Sequence, residues 1–229
     1  MSILTQSGRA AIAASIKEQP IHLAWGSGDG NWGSSHRVEK ISFTDDGEIK
    51  LNYHPVKDVK VVTGQITYQP STDYTVDSNT GVIQHTENSS IVENSAVTIE
   101  YTQDTPPELI TSTTLLKEVG RRVVDEILFC VGDEDGELLT PTGRFKPSNV
   151  PTDNLYLKFT FDFTDAANQV IRELGVMVGT KVKKELPPGQ RYFELQDIED
   201  PGILLVLEHT VPLIRSAATR ETFAFVVTF

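Results

Sequence analysis

Apolar and polar residues alternate along much of the chain, and this period of two predicts strands more often than helices. The clearest predicted strand covers residues 155–163, where Tyr156, Lys158, Thr160 and Asp162 separate large apolar residues. Its apolar face consists of Leu155, Leu157, Phe159, Phe161 and Phe163. Further strands are predicted at 21–25, 127–131, 169–178, 203–211 and 222–229. These runs predict a β-rich body, in which Phe229 belongs to the apolar face of the last strand.

Two segments have the three- and four-residue spacing of apolar positions that is typical of helices. The first covers 4–18, is followed by Pro20, and has an apolar face made of Leu4, Gly8, Ala11, Ile12 and Ile16. The second follows the candidate caps Ser112 and Thr113. Its apolar stripe is Leu115, Leu116, Val119, Val123 and Ile127. The sequence therefore predicts two main helices.

Residues 38–104 have a different pattern, in which short β-type runs alternate with turn signals such as Asp45-Asp46-Gly47 and no helical stripe occurs. The predicted strands here are 38–43, 48–54, 59–68, 73–76, 81–86 and 96–102. Pro106-Pro107 follows as a stiff boundary. The expected fold is α+β: a body of 1–37 and 105–229, with two main helices packed on mostly antiparallel strands, interrupted by a small all-β insertion at 38–104.

Charge and composition exclude several classes of function. Lys and Arg number 20 and Asp and Glu 32, so the net charge is 20 − 32 = −12, which opposes nucleic-acid binding. The one cysteine, Cys130, excludes an internal disulfide framework and a cysteine-rich zinc site. No apolar run approaches the roughly 18 residues of a membrane span. The first residues do not resemble a secretory signal, so we expect synthesis in a reducing cytoplasm.

A glycine-rich motif, Gly28-Asp29-Gly30-Asn31-Trp32-Gly33, matches the spacing G-x-G-x-x-G and follows a predicted strand. A dinucleotide site requires this turn to open a helix whose N-terminus faces the pyrophosphate. The residues after Gly33 lack a helical apolar stripe, so a plain glycine loop is expected and no cofactor is predicted.

Other candidate sites also lack the spacing that their chemistry requires. The acidic residues Asp133, Glu134, Asp135 and Glu137 surround Gly136 without the ligand order of a calcium loop, which predicts a solvated turn in a polar loop from Gly132 to about Thr152. Cys130 lies in an apolar run, where a thiol is usually inert. No histidine has a second ligand at helical spacing, so metal binding is not predicted for His22, His36, His54, His85 and His209. The sequence thus indicates no catalytic, cofactor-binding or metal residues.

Two tryptophans, Trp25 and Trp32, flank the glycine loop. Each could anchor the loop on the core, which is the more common role, or stack on a sugar or a partner. A carbohydrate-binding module for host-surface glycans is therefore an alternative function. A hydrolase of cell-surface polymers that uses paired carboxylates is another, although no pair among the 32 acids is marked out.

Several segments resemble the N-terminal, baseplate-docking domain of tail-fibre and baseplate proteins of tailed bacteriophages. In this sequence they are 4–13 (LTQSGRAAIA), 20–29 (PIHLAWGSGD), 114–122 (TLLKEVGRR), 170–176 (VIRELGV), 191–193 (RYF), 201–202 (PG) and 221–225 (ETFAF). They cover most of 1–34 and 112–229 in the family's order. Within the predicted insertion, 72–77, 80–83 and 96–101 resemble a β module that is common in phage tail proteins.

The resemblance implies a virion structural role in a phage tail, without catalysis or cofactors. It implies several copies in the particle, hence a homo-oligomer, and partners among other tail and baseplate proteins and fibre subunits. The expected location is the baseplate of a contractile tail, after synthesis in the host cytoplasm, with no membrane insertion. Since no repetitive shaft follows the body, an adaptor or baseplate subunit that links the tail to separate receptor-binding fibres is favoured over a complete fibre.

Overall fold

The computed structural model of the chain describes residues 2–92 and 94–229, and these are mainly β-structure, with 48% in strands and 7% helical. They form one α-helix, α1 (Gln6–Lys17), and one short 3₁₀ turn, Leu195–Asp197. The strands are β1 (Ile21–Gly26), β2 (His36–Ser42), β3 (Glu48–Lys50), β4 (Val56–Thr63), β5 (Ile66–Thr67), β6 (Tyr74–Asp77), β7 (Val82–His85), β8 (Ala96–Gln103), β9 (Glu118–Val123), β10 (Glu126–Gly132), β11 (Leu138–Thr140), β12 (Gly143–Ser148), β13 (Asn154–Phe161), β14 (Val170–Val178), β15 (Lys181–Val182), β16 (Tyr192–Phe193), β17 (Ile198–Asp200), β18 (Ile203–Ile214) and β19 (Glu221–Thr228).

The predicted α+β fold with two main helices is wrong, because the second predicted helix is a loop followed by β9 and the start of β10. Helical spacing was present there, but the residues also favour a strand. Val119 and Val123 are β-branched, and Gly120 weakens a helix by about 1 kcal/mol. Gly120 also lies against Tyr192 of β16, whose hydroxyl would be 2.3 Å from a Cβ at this position. Pairing with β1 and β16 therefore determines that β9 is a strand.

The first predicted helix is confirmed as α1, with different packing from that expected. The Thr5 hydroxyl caps it by accepting a hydrogen bond from the Gly8 N–H at 3.2 Å. Ala13 is buried and Ile16 packs against the core, whereas Ile12 of the predicted apolar stripe is 40% exposed. The helix therefore contacts the body through a narrow face that includes Ala13 and Ile16.

Contacts divide the chain into two units, each with its own core. Unit 1 joins Met1–Gly28 to Glu108–Phe229, and unit 2 is Asp29–Pro107. In its described residues, unit 2 consists of strands and turns, arranged in the sheets β2-β8-β4-β5 and β3-β7-β6. Its core includes Val61, Ile83, Val97, Ile99 and Tyr101. Five of the six strands predicted in this part of the sequence are confirmed with shifted boundaries, as β2, β3, β6, β7 and β8. The single strand predicted at 59–68 is wrong, because this stretch contains the hairpin β4–β5.

Unit 1 contains two five-stranded antiparallel sheets, with strand orders β16-β9-β1-β14-β18 and β11-β12-β10-β13-β19. We call them the β1 sheet and the β13 sheet. Their facing sides form one core, to which the β13 sheet contributes Leu155, Leu157, Phe159 and Phe161 and the β1 sheet Ile21, Leu23, Trp25, Leu174, Val176 and Val178. The strands predicted within this unit are confirmed as β1, β10, β13, β14, β18 and β19.

Two details of unit 1 differ from the expectations. The predicted polar loop after Gly132 contains the hairpin β11–β12, which extends the β13 sheet at one edge. Phe163 lies beyond the end of β13 and is 41% exposed, so it does not share the buried face of that strand. Its ring instead stacks beneath the Arg220 guanidinium at 4.8 Å.

Candidate interaction surface

Neither tryptophan beside the glycine loop presents a face to a ligand. Trp25 is fully buried in unit 1, where its ring stacks on Phe161 with centroids 3.4 Å apart and meets Phe223 edge-on at 5.7 Å. The Arg215 guanidinium lies 5.1 Å from the same ring. Trp32 is also buried. Because sugars stack on exposed aromatic rings, these two positions do not supply the platform that the carbohydrate hypothesis requires.

The glycine loop leads into a strand instead of a helix. Within unit 2, the Asp29 carboxylate accepts hydrogen bonds from the Asn31 backbone N–H at 2.9 Å and from its side-chain amide at 2.7 Å. The next element is β2, which starts at His36. A pyrophosphate site of the dinucleotide type needs a helix N-terminus at this point, so the loop lacks the element that would bind the anion.

The acidic cluster forms a turn between β10 and β11. The Asp133 carboxylate accepts the Asp135 N–H at 2.9 Å, and the Gly136 N–H donates to the Asp133 carbonyl at 2.9 Å. Gly136 packs against the backbone of Phe145, whose oxygen would lie 2.3 Å from an added Cβ. The tight turn accounts for Asp133 and Gly136 at their positions.

Cys130, whose thiol was predicted to be inert, is fully buried, and burial raises the pKa of this thiol to about 11. His22 is buried in β1 beside the Phe193 ring, and burial, assisted by the Arg121 charge, lowers its pKa to about 4. In the described residues, no group of three or more His, Cys, Asp or Glu side chains is arranged to hold a metal ion. None of the helical segments there has the length and hydrophobicity to cross a bilayer.

A buried carboxylate, Glu173 of β14, fixes a segment that we call the anchored loop, residues 108–117. Its two oxygens accept the backbone N–H groups of Leu116 at 2.9 Å and Lys117 at 3.2 Å. The imidazole of His209 lies 3.8 Å from Glu173. Since a buried carboxylate is stable only when it is hydrogen-bonded, this arrangement holds the loop firmly on the β1 sheet.

Leu115 adds an apolar contact at the same place. Its side chain lies over Gly26 and Gly175 in neighbouring strands, and a Cβ at either glycine would approach Leu115 to 2.9 Å and 2.4 Å respectively. Leu115 is 6% exposed and packs with Ala24 and Met177. The two glycines therefore create the space that seats the anchored loop.

The anchored loop presents exposed aliphatic side chains beside β18. Leu109 is 60% exposed and Ile110 fully exposed, and a cleft of about 300 Å³ separates them from residues 204–207 of β18. We call this the β18 cleft. Exposed aliphatic residues that lie together on a surface are typical of protein interaction sites.

A second opening, which we call the seam groove, follows the outer edge of β19. It has a volume of about 720 Å³. Its lining residues are Leu139, Thr140, Pro141, Thr142, Tyr156, Leu174, Glu208, Thr210, Thr222, Phe223, Ala224, Phe225 and Val226. Five consecutive residues of β19 line it, although successive side chains of a strand point to opposite faces. The groove therefore faces the backbone edge of β19.

Comparison with known families identifies a match. The family described as "Baseplate wedge 3 tail fiber network component" matches residues 1–104 and 94–229, which together span the chain. The chain belongs to this family. No curated protein matches the sequence significantly.

As a member of this baseplate wedge family, the protein is a structural component of a phage tail, and its partners are other tail proteins. The family resemblance seen in the sequence is thus confirmed.

Sequence reasoning missed the two openings, because their walls come from parts of unit 1 that are distant in the sequence. Pro212 in β18 was a local sign of an edge strand, since proline is confined to sheet edges and bulges.

Proposed function

We propose that this protein is a baseplate adaptor subunit that links the tail to receptor-binding fibres, catalyses no reaction, and acts in several copies within a contractile tail. Membership of a tail fibre network family supports this role. The observation that carries the proposal is the anchored loop, which is hydrogen-bonded to the β1 sheet at Leu116 and exposes Leu109 and Ile110. A connecting subunit requires such preformed apolar contact surfaces.

We also propose that residues 38–104 are an insertion into a body formed by 1–37 and 105–229. The separate core of unit 2 supports this, as does the division of contacts near both ends of the stretch. An insertion with its own core adds a surface without rebuilding the sheets that hold the anchored loop.

The adaptor role is tested by electron microscopy of particles assembled without this protein. We expect tails that lack fibres, because the connecting subunit is absent. Tails that keep a full set of fibres would contradict the proposal, and so would turnover of a host-surface polymer by the purified protein.

The contact surface is tested by Ile110→Glu, which places a charge on the exposed rim of the β18 cleft. We expect its incorporation into tails to fall by about tenfold, since a buried unpaired charge opposes association. Ile66→Glu is the matched control, because Ile66 is 60% exposed in unit 2. Equal incorporation of both variants would count against the anchored loop as a contact.

A further inference from the structure

The register of β19 determines which of its backbone N–H and C=O groups point toward the seam groove. β19 pairs with β13 in an unbroken antiparallel register. The Phe229 N–H donates to the Asp153 carbonyl at 3.0 Å, in line with that register. Bonded and non-bonded pairs alternate in an antiparallel ladder, so odd-numbered residues of β19 bond to β13 and even-numbered residues point away. The N–H and C=O groups of Thr222, Ala224 and Val226 therefore face the groove.

These outward groups are unpaired among the residues that the structure describes. Across residues 94–229, all of which the structure describes, β19 is an edge strand and none of the three N–H groups donates to another protein group. β11, at the opposite edge of the same curled sheet, lies close to β19 without a ladder between them. An edge strand with free backbone groups is a template for another strand.

The walls of the groove limit what can pair with this edge. The β11–β12 turn, residues 139–142, stands on one side, and Glu208 and Thr210 of β18 stand on the other. We expect such walls to admit a single extended segment and the turn to obstruct the edge of a folded sheet. The part of β19 that lines the groove, 222–226, is about 17 Å long, which matches a guest of about five residues.

The chemistry of the lining indicates the composition of the guest. Most lining residues are apolar or carry hydroxyls, and among them Glu208 is the only acidic or basic one. Glu208 is exposed at the rim, where a Lys or Arg of the guest would pair with it. The net charge of −12 favours a basic partner over a second copy of this chain.

We propose that the seam groove binds an extended segment of a neighbouring tail protein, with alternating apolar residues and a Lys or Arg, which pairs with β19 as an added strand. The inference rests on the proposed connecting role and names one contact of that role. Main-chain hydrogen bonds would supply affinity and the side-chain pockets specificity.

Amide hydrogen exchange tests the proposal, with the purified protein compared to the same protein in isolated tails. In the free protein, the amides of Thr222, Ala224 and Val226 exchange quickly because they lack acceptors. In tails we expect their exchange to slow by about tenfold or more, whereas the amides that bond to β13 are slow in both states.

Each outcome of the exchange experiment decides between the proposals. Protection of 222–226 in tails supports the added strand. Protection of 108–112 with unchanged exchange at 222–226 overturns the groove proposal and leaves the adaptor role intact. Unchanged exchange in both segments contradicts both. Protection that appears in the free protein as its concentration rises would identify a second copy as the occupant and overturn a foreign segment.

Ala224→Lys provides a second test, because it places a long charged side chain inside the groove. We expect incorporation into tails to fall by about tenfold, since charged residues at an edge strand oppose strand addition. Val211→Lys is the matched control, on an 81% exposed position of β18 that does not line the groove. Thermal unfolding checks that both variants fold, and equal incorporation of the two would overturn the proposal.

Discussion

The two edge strands β18 and β19 follow one another in the chain, yet only one of them is protected against pairing. The β14–β18 register is interrupted twice, and Pro212 lacks an N–H. The Glu108 carboxylate accepts the His209 backbone N–H at 2.8 Å and so covers the edge from outside. β19 has an unbroken register and no such cover in the described residues.

This difference distinguishes a strand edge that is protected against pairing from one that is left open for a partner. Bulges, prolines and covering loops are the usual means by which proteins prevent unwanted strand pairing. If protection were needed everywhere, β19 would be expected to have it as well. The regular, open edge of β19 is therefore the position that we assign to a partner strand, and the covered edge of β18 the position where pairing is prevented.

Removal of the core support beneath β19 should have the largest effect. Phe223 packs edge-on against Trp25 at 5.7 Å and against Phe161 at 6.3 Å. We expect Phe223→Ala to lower the free energy of unfolding by about 3 kcal/mol, because it removes a large aromatic group from the core. Urea denaturation measures this loss.

Phe163→Ala is the control for that variant. Phe163 is 41% exposed and lies outside β13, so its loss should cost less than about 1 kcal/mol. Similar costs for the two variants would mean that β19 is loosely attached, and its open edge would then reflect weak packing instead of a binding function.

Acid should lower the stability of the protein through His22, which lies in the β1 sheet. The same sheet contains β18. The pKa of His22 is about 4 in the folded protein, lowered from 6.5 mainly by burial. Because the unfolded chain takes up a proton at a higher pH than the folded chain, stability falls as the pH is lowered through this window. We expect a loss of about 2 kcal/mol between pH 7.5 and pH 5.

Denaturation at the two pH values, with His22→Leu as the control, measures that effect. The His22 Nδ1 atom has no hydrogen-bond partner among the described residues, so a leucine loses no bond there. The pKa of Asp162 and that of Asp200 are lowered by hydrogen bonds, so their titration lies below this range. An equally steep pH dependence in His22→Leu would exclude His22 as its source.

Removal of the cover from β18 should have the smallest effect. In Glu108→Ala, the His209 N–H loses its carboxylate acceptor, and we expect a loss of about 1 kcal/mol. Exchange of the His209 amide should become faster, and Glu108→Gln should keep the slow rate because its amide oxygen can still accept. Unchanged exchange in Glu108→Ala would show that the edge of β18 is protected by other means.

The sequence predicted most strands correctly because their apolar periodicity reports the face that a sheet buries. β13 and β19 are examples, with aromatic residues at alternate positions. The same reasoning failed at Leu115, where helical spacing was present but the determining contacts are Gly26 and Gly175. Those glycines are distant in sequence, so a local pattern cannot reveal them.

The candidate surfaces were less accessible to sequence reasoning than the fold. Whether a strand is an edge depends on the order of strands in the sheet, which periodicity does not give. Glu173 is an ordinary acid in the sequence and becomes an anchor only when β14 brings it beneath Leu116 and Lys117. Its burial is the signal, and burial of a single charged residue is not encoded in local spacing.

Cryo-electron microscopy of the assembled tail would show the edges of β18 and β19 in one experiment. We expect an extended segment from another tail protein hydrogen-bonded to Thr222, Ala224 and Val226 of β19, with β18 unpaired on its outer side. A strand paired with the outer side of β18, or a bare β19 edge in the complete tail, would contradict this expectation.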